Sequence, residues 1–126
     1  VNNILWIGVG GFVGAVARYW LSGWVQRAAQ TTLFPYGTLT VNLLGCLLIG
    51  FLFSLPSLHR TLDAELRLLL ITGFLGAFTT FSTFSNETLL LLQAQQTLAA
   101  LLYVALSLLL GVGAVGLGQW LAQVLS

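Results

Sequence analysis

The sequence predicts an all-α integral membrane protein with four transmembrane helices, and three observations carry that prediction. The chain of 126 residues is 58% hydrophobic and only 6% charged, whereas a soluble domain carries roughly 25% charged residues. Its apolar residues gather in four runs, at about 4–26, 37–55, 67–93 and 98–124, each near or above the roughly 20 residues that cross a bilayer. The connections between them are short and polar, so the chain reads as one transmembrane domain over residues 1–126. A net charge of +1 is too small to point to nucleic acid or to a strongly acidic partner. Cys46 is the single cysteine, so no intrachain disulfide forms and no metal-ligand spacing arises. No basic stretch precedes the first apolar run, which is also too long for a signal-peptide core, so no cleavable signal is expected.

The first span carries Gly8, Gly10, Gly11 and Gly14. Gly10–Gly14 and Gly11–Ala15 have the small-xxx-small spacing that lets membrane helices approach closely, and tight packing is the expected use. Arg18 stands out inside this run. Two readings stand for it: snorkelling to the headgroups, or facing a water-filled vestibule where it attracts anions. Trp20 and Trp24 follow, as expected near an interface.

Phe34-Pro35-Tyr36-Gly37 ends the first connection and starts the second span. Within that span lies Asn42. An amide in hydrocarbon must be bonded, so Asn42 faces protein or water, either as glue between helices or as a donor to a passing anion. Thr38 lies four residues earlier, on the same helical face. Gly45 and Gly50 suggest further close packing. The stretch Pro56–Glu65, with His59, Arg60, Asp63 and Glu65, reads as a solvated loop or a short interfacial helix. His59 has no companions that would make it catalytic or metal-binding.

The third span holds GFLGAFTTFSTFSNE at 73–87, in which seven of fifteen residues are Gly, Ser or Thr. Loosened backbone in a membrane is tolerated only where it is buried in protein or lines a wet cavity. Gly73 and Gly76 weaken the helix, and Thr79, Thr80, Ser82, Thr83 and Ser85 bring hydroxyls that satisfy freed backbone groups. The span is also longer than a crossing needs. Together these predict a helix broken mid-membrane near Gly76–Thr80, beside a polar pathway. Phe81 and Phe84 share a face there. Phenyl edges favour anions and phenyl faces favour cations, and ordinary core packing is the plainer reading of the spacing alone. Carbonyls at a break near Gly76 and Thr79 would suit a hard cation such as Na⁺. Glu87 closes the stretch. In the fourth span Tyr103 and Ser107 share a face, and Gly111, Gly113, Gly116 and Gly118 again favour close packing.

Four spans put both termini on one side with Arg60 and Arg67, against Arg27 on the other. So weak a bias gives almost no orienting instruction. A chain of this kind inserts both ways, and two opposed copies would achieve what inverted repeats achieve in transporters. The sequence holds no nucleophile–base pair, metal-ligand cluster or phosphate loop, so no enzyme is expected.

GTLTVNLLG at 37–45 and GFLGAFTTFSTFSNE at 73–87 closely resemble the two signature segments of the Fluc (CrcB) family of microbial fluoride channels. The resemblance covers essentially the whole chain. It implies an antiparallel, dual-topology homodimer in the cell (inner) membrane with two pores, each lined by both subunits and passing fluoride out of the cell passively. It implies that Phe81 and Phe84 are the ring-edge phenylalanines that contact fluoride and that Asn42 is the pore asparagine. By the same resemblance Ser82 and Thr83 belong to a hydroxyl track, and Thr38, Tyr103 and Ser107 are further pore-lining polar positions. Arg18 corresponds to a vestibule arginine and Glu87 to the glutamate at the third span's end. Gly76 and Thr79 are implied to hold a central structural Na⁺ through carbonyls from both subunits. Ala77 departs from relatives that carry a second glycine there. Two other classes compete. A small dual-topology, proton-coupled multidrug exporter would need a carboxylate in the first span, which has none. A non-transporting assembly subunit would leave Asn42 and the FSTF cluster unexplained.

Overall fold

The computed structural model describes residues 2–55 and 64–126. Those residues are helical with short connections, and they contain four helices long and apolar enough to cross a membrane. Helix α1 covers Asn2–Ala28 and α2 covers Tyr36–Ser54. The third span, Ala64–Gln93, is composite: α3 at Ala64–Arg67, a π-helical stretch at Leu68–Leu75, α4 at Gly76–Phe78 and α5 at Phe81–Gln93. Helix α6 covers Thr97–Leu125. Each long helix begins or ends within a few residues of its sequence-predicted bound. His59, Arg60 and Asp63 lie outside the described residues; Glu65 and Arg67 are exposed on α3.

Two seams hold the bundle, α1 against the π-helical stretch and α2 against α6. Lipid tails are as apolar as leucine, so helices in a membrane gain by close backbone packing rather than by escaping water. The glycines show where that happens. A Cβ on Gly10 would run into the Leu69 carbonyl and sit 2.9 Å from the Phe74 amide nitrogen, and one on Gly14 would run into the Phe74 carbonyl. Leu69 and Phe74 are the i, i+5 pair of a π turn, so α1 lies directly against the widened backbone. In the second seam, Gly50 abuts the Val115 carbonyl and Gly118 the Leu47 carbonyl. Gly8, Gly113 and Gly116 have nothing within 4 Å, so the expected close packing does not extend to them.

The connections close with identifiable devices. Gln26 donates through Nε2 to the carbonyls of Thr31 (2.6 Å) and Phe34 (2.9 Å), while its Oε1 accepts from the Gly37 amide at 3.0 Å. One side chain thus ties the end of α1 to the start of α2. After α5, Gln95 adopts a left-handed φ of 63°. Its amide donates to Leu92 at 3.1 Å and the next, Gln96, donates to Leu91 at 2.9 Å. This is a Schellman closure, built here on glutamine where glycine is the usual choice.

Candidate functional site

Between α4 and α5 the backbone leaves the helix for two residues. Thr79 (φ −92°, ψ 156°) and Thr80 (φ −149°, ψ 122°) are extended. In hydrocarbon such a link is costly unless its polar groups find partners; the Thr79 amide keeps a backbone bond to the Leu75 carbonyl at 3.1 Å, and the remaining bonds here involve side chains. Asn42, on α2, donates through Nδ2 to the Thr80 carbonyl at 3.1 Å and accepts the Thr80 amide on Oδ1 at 2.9 Å. The Thr80 hydroxyl caps α5 by accepting the Thr83 amide at 3.2 Å. Thr79 Oγ1 donates back to the Leu75 carbonyl at 3.0 Å. From α1, Arg18 Nε donates to the Ala77 carbonyl at 3.0 Å. Arg18 is therefore tied to the third span at the start of the link.

These bonds leave a specific residue of unused capacity. In an unbroken helix the Gly76 carbonyl would accept from the Thr80 amide and the Thr79 carbonyl from the Thr83 amide. Both amides are diverted, the first to Asn42 and the second to the Thr80 side chain. Gly76 is exposed, and the space where its Cβ would sit meets only the Ile71 carbonyl, at 3.8 Å.

A cavity of about 370 Å³ opens beside the link, with Asn42, Gly76, Thr79, Thr80, Phe81, Phe84 and Ser107 in its wall together with apolar residues and Cys46. Phe81 and Phe84 have ring centroids 5.8 Å apart at an interplanar angle of 46°. Phe84 also packs on Tyr103 at 5.0 Å. Phe81 is 78% exposed, so this chain alone does not enclose it. The Ser107 hydroxyl is buried and has no hydrogen-bond partner.

The other predicted positions fall into a separate cluster. Glu87 accepts from Thr38 Oγ1 at 3.0 Å on one carboxylate oxygen and from the Tyr103 hydroxyl at 2.9 Å on the other. Tyr103 is fully buried, against Leu39, Leu91 and Ala100 with Phe34 and Phe84 alongside. So Tyr103 and Ser107, which share a helical face, serve different surroundings: the tyrosine hydroxyl belongs to the Glu87 cluster, while Ser107 lines the cavity. Ser82 is exposed, its hydroxyl 3.5 Å from that of Thr80, and Thr83 is half-buried with its amide on the cap. The described residues contain no group of three or more His, Cys, Asp or Glu able to hold a metal ion. Any cation held here would meet carbonyl and hydroxyl oxygens.

Two contributors were not singled out by sequence reading. The sequence marks Thr80 only as one hydroxyl among several, yet its amide, carbonyl and side chain are all engaged at the link. The available signal was a Thr-Thr pair inside an apolar run, just before a new helical period, which is where an N-cap belongs. Gln26 gives no signal, because a glutamine near a helix end is unremarkable until its three partners are seen.

A family model described as "CrcB-like protein, Camphor Resistance (CrcB)" matches residues 5–119. A protein of Oceanobacillus iheyensis named fluoride-specific ion channel FluC is 45% identical over 122 residues, covering 97% of this chain and 92% of the relative. Proteins with the same name from Nitratidesulfovibrio vulgaris and Chloroflexus aurantiacus are each 48% identical, covering 94% and 95% of this chain and 94% and 98% of the relatives.

Proposed function

The chain belongs to the CrcB-like family, and on that premise we propose that this multi-pass protein of the cell membrane is a fluoride-selective channel that lets F⁻ leave the cell passively. The observation that carries the reading is the cavity lined together by Phe81, Phe84, Asn42 and Ser107. A small anion gives up strongly bound water only for good donors. The Asn42 amide retains one N–H after bonding Thr80, Ser107 offers an O–H, and the phenyl rings offer positive edges. Ser82 and Thr83 continue the hydroxyls along α5, Arg18 draws anions toward the approach, and Glu87 with Thr38 and Tyr103 marks the far end.

The channel works as a homodimer in antiparallel orientation, with two pores. Phe81 at 78% exposure is too open to act as a pore wall until a second chain covers it, and Gly76 presents bare backbone on the same side. The near-absence of charge bias between the two ends supports insertion in both directions. In this arrangement the break at Thr79–Thr80 lies at mid-membrane.

A structural Na⁺ on the dimer axis fits the residues present. Gly76 and Thr79 are the two positions whose carbonyls lose their helical donors to Asn42 and to Thr80. Two neutral carbonyls from each chain would give an oxygen-only set suited to a hard monovalent cation. When bound, the ion ties the two chains together at their broken helices.

The test is efflux from liposomes that hold only the purified protein, loaded with KF or KCl and followed with ion-selective electrodes after valinomycin. Rapid fluoride release with negligible chloride release is expected. Release of neither ion from protein shown to be a folded dimer would sink the reading.

A further inference from the structure

We propose that Asn42 is a positioning residue for the third span, clamping the extended link by its backbone, and that this clamp orients its one remaining N–H for the anion. The inference rests on the channel reading for its second half only.

The geometry is specific. A side-chain amide has one acceptor oxygen and two N–H donors. At Thr80 the acceptor takes the backbone amide and one donor takes the backbone carbonyl, at 2.9 and 3.1 Å. The orientation is fixed by chemistry. The Thr80 amide can only donate, so it must face Oδ1, and turning the amide over would oppose two donors on one side and two acceptors on the other. The bonds cross 38 residues of sequence, so they join α2 to the link directly. The Thr80 hydroxyl is already spent on capping α5, and Thr79 bonds backward to Leu75. Asn42 is therefore the side chain from outside the third span that satisfies both backbone polar groups of Thr80. Without it, an amide and a carbonyl would be left unbonded inside the membrane, where each costs far more than in water.

Two consequences follow. The link stays extended at Thr80 because a helical Thr80 would aim its amide at Gly76 and away from Asn42. And the N–H that remains on Asn42, which lines the cavity with Phe81 and Phe84, does not rotate freely. An anion arriving there meets a donor already in place, which saves the reorganisation a free amide would require.

Selective labelling gives the test. With ¹³C-carbonyl threonine and ¹⁵N-amide phenylalanine, only the Thr80–Phe81 and Thr83–Phe84 pairs give a carbonyl–amide correlation, and the second is an internal control. The measurement uses the full chain in lipid nanodiscs, compared with Asn42→Asp and Asn42→Ala. Asn42→Asp keeps an oxygen for the Thr80 amide and removes the donor to its carbonyl. Its expected result is a moved Thr80 carbonyl resonance, an unmoved Thr83 resonance and fluoride efflux at least tenfold slower. Asn42→Ala is expected to move the Thr80 resonance further. An unmoved Thr80 resonance in both variants overturns the clamp, even if efflux is lost, since Asn42 would then act on the anion alone. If the parent chain releases no fluoride while the Thr80 resonance still moves in the variants, the channel reading fails and the clamp stands. Should the alanine variant fail to fold, the near-isosteric aspartate variant decides the question by itself.

Discussion

The glycine seams and the link at Thr79–Thr80 solve the same problem in opposite ways. At Gly10, Gly14, Gly50 and Gly118 the chain is closed: the place of a missing Cβ is filled by the carbonyl of a neighbouring helix. At Gly76 the chain is open, with one distant atom near that place and an exposed backbone. The seams keep their backbone hydrogen bonds inside helices and spend small residues on proximity. The link gives up most of its helical bonds and is repaired by side chains from two other helices, Asn42 on α2 and Arg18 on α1, and by Thr80 itself. Small residues in a membrane chain therefore carry two meanings. In a seam they bring this chain's helices together, and at the link they leave backbone exposed.

Substitutions can break that contrast, starting with the most severe. Gly14→Val and Gly50→Val place carbon where the Phe74 and Val115 carbonyls lie. Backbone on both sides leaves little room to yield, so a loss of about 3 kcal/mol is expected, at the upper end of overpacking. Size-exclusion chromatography should show little monodisperse protein, and wild-type behaviour would show that the seams relax easily. Phe81→Ile should do the reverse. The exposed ring supports little of this chain's own packing, so folding should survive while fluoride efflux falls at least tenfold, about 1.4 kcal/mol on the barrier. Efflux at the parent rate would remove Phe81 from the proposed pathway.

The Glu87 cluster tests an intermediate case, a polar group inside the packed part. Tyr103→Phe leaves one carboxylate oxygen without its 2.9 Å donor, and a loss of about 1–3 kcal/mol is expected, read as a lower thermal midpoint in detergent. No shift would mean that water reaches Glu87 and replaces the tyrosine. The smallest effect is expected at Gly113→Ala and Gly116→Ala. Both sites are free of neighbours within 4 Å, and alanine favours a helix by about 0.8–1 kcal/mol over glycine. These variants should match or slightly exceed the parent in thermal midpoint. Marked destabilisation would place a second chain against that face.

Much of this was legible residue by residue, and the failures have physical causes. The four spans follow from hydropathy and length because a bilayer imposes both. The disturbance near Gly76–Thr80 follows from clustered Gly, Ser and Thr in a run otherwise fit for lipid. The π-helical stretch at Leu68–Leu75 was not foreseen, since LLLITGFL has no composition that separates an i→i+5 helix from an i→i+4 one. The glycines of the fourth span suggest close packing as those of the first do, yet Gly113 and Gly116 meet nothing within 4 Å while Gly10 and Gly14 are packed. Which stripe of a helix meets a neighbour depends on how the helix is rotated, and a uniformly apolar helix carries no amphipathic signal to fix that rotation. Asn42 was open between glue and anion donor, because pairing with Thr80 is a contact between spans.

What the sequence determined by itself was the solvent and the inventory: a chain too poor in charge for water, four apolar spans, and polar residues concentrated where lipid would exclude them. The tertiary structure decided the partnerships. It put Glu87 under Thr38 and Tyr103, left Ser107 unpaired in the cavity wall, and gave both backbone groups of Thr80 to Asn42. The reason is that spacing within a helix fixes only which residues share a face. A bond across 38 or 49 residues exists only once the helices have chosen which faces to turn toward each other.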